Sequence, residues 1–213
     1  MNQDIKVDDF RNALNVLIGA TCWNTYSCGW EYSLRLAFGK AVILNVQKVE
    51  TGEVVHVYRG QYELSVFCTW RLDDAMGNPV LGPASGRDAI VRSAVSFIGD
   101  KIGAIEIEPP VWEVTVRFVS GRQLRVFCDL IDSEESGTSG IPNWIFSNEE
   151  HRHIIGSDGI ILREPRKNTM FGVIDIEDVD LEFLQTDNDY AVLVHLRQDK
   201  SVEKEEDEVK SNH

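Results

Sequence analysis

The chain has 213 residues, 43% of them hydrophobic, which is enough apolar material for the core of one large domain or two small ones. Its formal net charge of -14 disfavours direct binding of nucleic acid, because an acidic surface repels phosphate groups. No apolar run reaches the roughly 20 residues that span a bilayer, and the N-terminus lacks a secretory pattern, so we expect a soluble cytoplasmic protein without membrane contact.

Apolar residues near the N-terminus recur at helical spacing. The stripe predicts an amphipathic helix that begins at Asp8 or Asp9, both suitable N-caps, and ends at Gly19. Its members are Phe10, Ala13, Leu14, Leu17 and Ile18.

Alternating apolar and polar residues follow this helix and predict β-strands with one covered face. One strand is expected over residues 32–38 and another over residues 63–72. Between them, residues 42–49 and 53–58 flank a turn at Gly52 and predict an inserted hairpin.

The second half of the chain repeats this order of elements. An apolar stripe from Ile90 to Ile98, ended by Gly99, predicts a second helix. Strands are expected over residues 112–118 and 124–130, joined by a turn at residues 120–122. A further strand is expected at residues 143–146, followed by a turn at residues 157–159. A final pair of strands is expected at residues 172–176 and 190–196, and a disordered acidic tail at residues 199–213.

Two stretches of the chain are similar to each other. Residues 30–39 (WEYSLRLAFG) return as residues 112–121 (WEVTVRFVSG), and residues 64–68 (LSVFC) return as residues 124–128 (LRVFC). We therefore predict an α+β fold of two tandem units, each with one helix and an antiparallel sheet, packed into one globule. The expected units are residues 1–84, with the inserted hairpin, and residues 85–198, with the C-terminal strands.

The sequence contains no catalytic motif with a recognised spacing, which favours a protein that is not an enzyme and needs no cofactor. His151 and His153 lie near Glu149 and Glu150, and this group fits either a metal or acid–base site or an ordinary solvated turn. Four acidic residues near position 178 fit a cation site or a charged sheet edge: Asp175, Glu177, Asp178 and Asp180. Cys68 and Cys128 occupy matching, apolar positions, which predicts core residues and not metal ligands.

Two phenylalanines interrupt the polar sides of their strands. Phe67 and Phe127 lie at matching positions, and a repeated apolar group on a polar face requires something to cover it. One interpretation is packing between the two units or beneath the inserted hairpin. The other is a protein-binding face to which Arg35, Phe67, Arg71 and Phe127 contribute.

Residues 61–72 (QYELSVFCTWRL), together with the later helix, the Trp112 strand pair and the Ser-Asp-Gly turn, resemble a family of uncharacterised bacterial proteins. The similarity covers residues 14–162. The family brings no known activity, and small acidic bacterial proteins of this size suggest toxin-neutralising immunity proteins by analogy.

From these observations we expect a non-enzymatic interaction protein whose partner is another protein. An immunity-type inhibitor that caps a basic partner is the particular form suggested by the net charge of -14. Two alternatives are a small-ligand or metal-binding module that uses His151, His153 and nearby carboxylates, and an assembly role through sheet-edge pairing.

Overall fold

A computed structural model of the chain describes residues 3–4, 7–26, 33–47, 54–86, 89–90, 93, 95–128, 142–166, 170–174, 179–185 and 190–196. Within these residues the elements with defined bounds are one α-helix, α1 (Val7–Asn15), two 3-10 turns (Pro83–Ser85 and Val95–Phe97) and fifteen strands, and residues 89, 90 and 93 are helical as well. The strands are β1 (Gln3–Asp4), β2 (Cys22–Tyr26), β3 (Leu34–Gln47), β4 (Val54–Val66), β5 (Thr69–Asp73), β6 (Pro79–Leu81), β7 (Ile102–Glu108), β8 (Glu113–Phe118), β9 (Gln123–Phe127), β10 (Trp144–Ser147), β11 (His151–Ile155), β12 (Ile161–Pro165), β13 (Met170–Ile174), β14 (Val179–Gln185) and β15 (Tyr190–Leu196).

The strands form two main antiparallel sheets. The larger has eight strands in the order β1-β12-β11-β10-β4-β3-β13, with β2 also paired to β3. The smaller has five strands in the order β6-β5-β9-β8-β7, and β14 and β15 form a separate hairpin. The α+β class predicted from the sequence is therefore confirmed in coarse form, with strands in the majority. None of the described helices has the length and apolar character that crossing a bilayer requires.

One hydrophobic core lies between the sheets and α1. Leu64, Val66 and Trp144 enter it from the larger sheet, while Trp70 and Val126 enter it from the smaller sheet. Alternate side chains of a strand point to opposite faces, which explains why every second residue of β8 is buried. Burying a large side chain of this kind stabilises the fold by about 1.5–3 kcal/mol.

The predicted N-terminal helix is present but shorter than expected. Phe10, Leu14 and Leu17 are buried, and the Phe10 ring lies 5.4 Å from that of Trp144. The expectation that Ile18 belongs to the buried stripe is wrong, because α1 ends at Asn15 and the Ile18 side chain is 49% exposed.

The predicted inserted hairpin is not a separate element. Residues 34–47 form one strand, β3, which pairs with the similarly long β4 from Leu34–Val66 to Gln47–Val54. The extra residues therefore lengthen a single hairpin. A bulge at Gly39 and Lys40 interrupts the ladder, and Gly39 has a φ of 71°, a conformation that glycine adopts without strain.

The single strand predicted over residues 63–72 is wrong, because the chain passes from one sheet to the other within it. β4 ends at Val66 in the larger sheet, and β5 begins at Thr69 in the smaller one. At this crossing the Phe67 and Cys68 amides both donate hydrogen bonds to the Asn143 carbonyl oxygen, at 2.8 and 3.1 Å. Each sheet takes strands from both sides of the predicted boundary between residues 84 and 85.

The two similar segments form hairpins with different registers. Leu34 pairs with Val66 in the first hairpin, whereas Val116, its counterpart in the repeat, pairs with Leu124 in the second. In the repeat Val126 is the counterpart of Val66, so equivalent hairpins would pair Val116 with Val126. The observed pairing differs from this expectation by two residues. The predicted turn after β8 is confirmed, with Gly121 at a φ of 89°. The duplication itself stays a prediction.

Later elements differ in part from the expectations. The strand at residues 143–146 and the turn at residues 157–159 are confirmed. Strands are also present at the two late segments, as β13 and β15, but each pairs with another strand, β13 with β3 and β15 with β14. Ala89, Ile90 and Ser93 are the described helical residues of the predicted second helix. The start of the repeat at residues 30–32, Asp175, Glu177, Asp178 and the tail lie outside the described residues.

Candidate functional site

The larger sheet has a second face, which points away from the core. Leu64 and Val66 of β4 enter the core, so the alternate residues Glu63 and Ser65 lie on this second face. The same alternation on β10 places Trp144 in the core and Ile145 on the second face. Polar and charged side chains from five strands are brought together there.

Cross-strand pairing arranges these side chains in two neighbouring rows across β3, β4, β10, β11 and β12. The first row consists of Arg35, Ser65, Ile145, Ile154 and Leu162. The second row consists of Ala37, Glu63, Ser147, Arg152 and Glu164.

A groove of about 600 Å³ lies over these rows, and this volume is within the range typical of ligand-binding clefts. Its described lining includes four arginines and two glutamates, a formal charge of +2 in a chain whose net charge is -14. We call this feature the arginine groove; its charged residues are Arg35, Arg59, Arg152, Arg166, Glu63 and Glu164.

Arg166 holds the wall of the arginine groove in place. Its Nη1 donates hydrogen bonds to the carbonyl oxygens of Gln61 at 3.0 Å and Asn148 at 2.8 Å. Its Nη2 lies 2.5 Å from Glu63 Oε2, and the two side chains are only 3% and 9% exposed. Arg166, which follows β12, is thereby hydrogen-bonded to residues of β4.

A second ion pair lies nearer to solvent. Arg152 Nη1 is 3.0 Å from Glu164 Oε1, and both side chains are more than a third exposed. Ser65, Ile145 and Ser147 on the floor of the groove are buried. The arginine groove thus combines guanidinium groups, two hydroxyls and an apolar floor residue, a set that can bind the anionic group of an organic ligand.

The residues of the predicted protein-binding face lie on different elements. Arg35 lines the arginine groove on the larger sheet, whereas Arg71 and Phe127 lie on the smaller sheet, with the Arg71 Cζ atom 5.9 Å from the centre of the Phe127 ring. Phe67 is half-buried in the link between the sheets.

Arg71 also contacts a buried carboxylate. Its Nε and Nη2 atoms lie 2.7 and 3.1 Å from the two oxygens of Asp73, whose side chain is 1% exposed. Arg125 Nε is 3.2 Å from the same carboxylate. Asp73 therefore holds both arginines against the face of the smaller sheet.

His151 and His153 lie on a strand, β11, and not in the predicted loop. The His153 ring packs between Phe10 and Phe146, with ring centres 5.5 and 5.7 Å away. Burial, with smaller effects of Arg163 and His151, lowers the pKa of His153 to about 4, so the imidazole is neutral near pH 7. His151 Nδ1 lies 2.9 Å from the Arg163 guanidinium.

The aromatic packing of His153 and the contact of His151 with a guanidinium group differ from the surroundings of a metal ligand. Across the part of the chain that the structure describes, no group of three or more His, Cys, Asp or Glu side chains is placed to hold a metal ion. Cys22 and Cys68 are buried core residues, and burial raises the pKa of the Cys22 thiol far above its ordinary value. Cys128 is half-buried and packs against the core.

Arg59, Arg152 and Arg166 are functional candidates that sequence reasoning missed. Glu63 and Ser65 were recognisable as outward-facing residues of a strand, but their convergence with Arg152 and Arg166 depends on contacts across about 90 to 100 positions of sequence.

Comparison of the chain with protein-family models, with characterised proteins and with solved structures finds no match. The resemblance to bacterial proteins stays a hypothesis.

Proposed function

We propose that this protein is a non-enzymatic interaction protein, and that the arginine groove is its binding site for an anionic group of its ligand. The observation that carries this proposal is the local reversal of charge. A chain with a net charge of -14 gathers four arginines around one groove, where the described lining carries +2.

Physical chemistry favours an anion at this position. The planar guanidinium group of arginine donates two parallel hydrogen bonds to a carboxylate or phosphate, and such charge-assisted bonds are about twice as strong as neutral ones. Ser65 and Ser147 on the buried floor add hydroxyl donors. The surrounding negative charge of the protein disfavours anions elsewhere on the surface, so the groove would also be selective.

Thermal unfolding in the presence of sodium acetate tests the proposal. Acetate that binds the folded protein should raise the melting temperature above that in sodium chloride of equal ionic strength, because ligand binding stabilises the folded state. The variant Arg35→Gln/Arg59→Gln should lose this rise. The control Arg11→Gln, which removes an arginine of α1 that is 47% exposed, should keep it. An equal rise in all three proteins would contradict the proposal.

A second candidate is an immunity-type inhibitor of a basic partner, as the sequence suggests. The net charge of -14 favours it, since an acidic surface attracts cationic proteins over long range. A cytoplasmic location forms part of this proposal, and cell fractionation tests it.

Affinity capture at low and high salt separates the two candidates. A stoichiometric basic protein that is released by salt and still binds the Arg35→Gln/Arg59→Gln variant would support the inhibitor. A partner lost only from that variant would support the arginine groove, and the absence of any stoichiometric partner would count against the inhibitor.

We also propose that the β3–β4 and β8–β9 hairpins derive from one duplicated unit. The proposal is supported by the repeated WE and FC dipeptides and by glycines with positive φ, Gly39 and Gly121, at matching positions. The two-residue difference in register counts against it. An alignment of homologues in which the two halves become more alike toward older branches would support the duplication, and progressive divergence would oppose it.

A further inference from the structure

We infer that the ligand of the arginine groove is a monocarboxylate with an apolar body, which lies across the strands along the first row. This inference rests on the proposed anion-binding function and goes further, because it assigns the ligand class and the ligand's orientation.

The first row changes in polarity from one end to the other. It begins at β3 with the cation Arg35, continues on β4 with the Ser65 hydroxyl, and becomes apolar at Ile145 on β10. Ile154 and Leu162, both half-buried, continue the row over β11 and β12 beyond the residues that line the groove, and together with Ile145 they form an apolar strip. A ligand that matches this order has an anionic head beside Arg35 and an apolar body over the isoleucines.

Strand spacing sets the length of that ligand. Neighbouring strands lie about 4.8 Å apart, so Ile145 is about 10 Å from Arg35 across the sheet, and Leu162 is about 19 Å away. The apolar body of the ligand must therefore extend roughly 10 Å from the carboxylate to reach Ile145, where the apolar strip begins, and about 19 Å to reach Leu162, where the strip ends. Acetate is too short to make this contact, whereas the extended chain of octanoate is about 10 Å long and reaches Ile145, two strand spacings from Arg35.

The second row disfavours ligands with several negative charges. Glu63 and Glu164 both line the groove, beside the path of the first row. Their carboxylates repel a phosphate dianion or a citrate trianion more strongly than a single carboxylate. The first row offers one cation, Arg35, to the head group, and a single carboxylate matches it without bringing further negative charge toward Glu63 and Glu164.

Calorimetric titration of the full chain with acetate, butanoate and octanoate tests the inference. Affinity should rise with chain length, by at most about fourfold for each methylene that becomes fully buried, and octanoate should bind at least tenfold more tightly than acetate. Octylammonium, which has the same apolar body and the opposite charge, should bind at least tenfold more weakly than octanoate.

Two matched variants assign the apolar contact. Ile154→Ser replaces a half-buried residue that lies three strand spacings, about 14 Å, from Arg35, and it should reduce several-fold the affinity for dodecanoate, whose extended chain has about this length, without changing acetate affinity. Ile105→Ser makes the same change at a half-buried position of β7 on the other sheet and should leave both affinities unchanged. Equal losses in the two variants would overturn the assignment of the apolar strip.

Two sources supply such a carboxylate, a free acid and the C-terminus of a peptide, and a further arm of the experiment distinguishes them. Octanoate is compared with a short peptide that ends in leucine, in its free-acid and amidated forms. Tighter binding of the free-acid peptide assigns a peptide terminus, and tighter binding of octanoate assigns a free acid.

Failure of this inference differs from failure of the proposed function. If citrate or phosphate binds while octanoate binds no more tightly than acetate, the inference is wrong and the anion site remains. If no anion in the series binds, the proposed function is wrong as well.

Discussion

Removing one partner of the buried ion pair of Arg166 and Glu63 should strongly destabilise the fold. In the variant Arg166→Met the Glu63 carboxylate would remain almost fully buried without its cation, and three carbonyl oxygens, those of Gly60, Gln61 and Asn148, would lose a donor. Removing one partner of a buried pair destabilises proteins by about 3–5 kcal/mol, and we expect a loss of this size.

A double-mutant cycle isolates the pair from the carbonyl contacts. Urea unfolding of the wild type, Glu63→Gln, Arg166→Met and the double variant can be followed by the fluorescence of buried tryptophans such as Trp144. Glu63→Gln in the Arg166→Met background should restore part of the lost stability, because the amide carries no charge. We expect a coupling energy of about 2 kcal/mol or more.

The exposed pair of Arg117 and Glu106 provides the matched control. Its side chains are 43% and 53% exposed, and solvent screens such a pair, so the cycle of Glu106→Gln and Arg117→Met should give a much smaller coupling energy. Equal coupling energies in the two cycles would refute the reasoning that burial makes the Arg166 pair dominant.

Two further predictions concern the core and the long hairpin. Because the pKa of His153 is lowered to about 4 in the folded protein from 6.5, the unfolded chain binds the proton more readily, and the free energy of unfolding should fall as pH is lowered from 6.5 to 4, by up to about 3 kcal/mol. Urea unfolding across this range measures the effect, and a His153→Phe variant that keeps the same slope would contradict the assignment. Gly60→Ala would bring its Cβ against the Tyr62 carbonyl oxygen and to 2.9 Å from the Phe38 amide nitrogen, and this crowding should destabilise the fold by about 1–3 kcal/mol. Gly103→Ala, whose nearest neighbour atom would be 3.5 Å away, is the control, and an equal loss in both would show that crowding is not the cause.

Some elements of the fold are predictable because their signals are local. α1 follows from an apolar stripe at helical spacing, and β8 and β9 follow from strict alternation with a glycine turn between them. In each case the residues that decide the structure lie within a few positions of one another. The end of α1 was predicted less well, since the apolar Ile18 lies beyond the helix and stays exposed.

Other features of the fold depend on pairing between distant segments. Alternation continues from β4 into β5 without a visible break, so the passage between sheets at Phe67 and Cys68 has no periodicity signal. It is visible only where both amides contact the Asn143 carbonyl oxygen, about 75 positions away in sequence. The same holds for the long β3–β4 hairpin, whose bulge at Gly39 resembles a strand end in the sequence.

The amino-acid sequence by itself determined the antiparallel strand pattern, the short amphipathic helix, the acidity of the chain and the burial of tryptophans such as Trp70. Only the tertiary structure decided which strands share a sheet and which charged side chains meet. The physical reason is that alternation assigns a residue to one of two faces of its own strand, whereas the neighbour across the strand is chosen by register. The arginine groove, in which Arg166 reaches Glu63 across about 100 positions, exists only once that register is set.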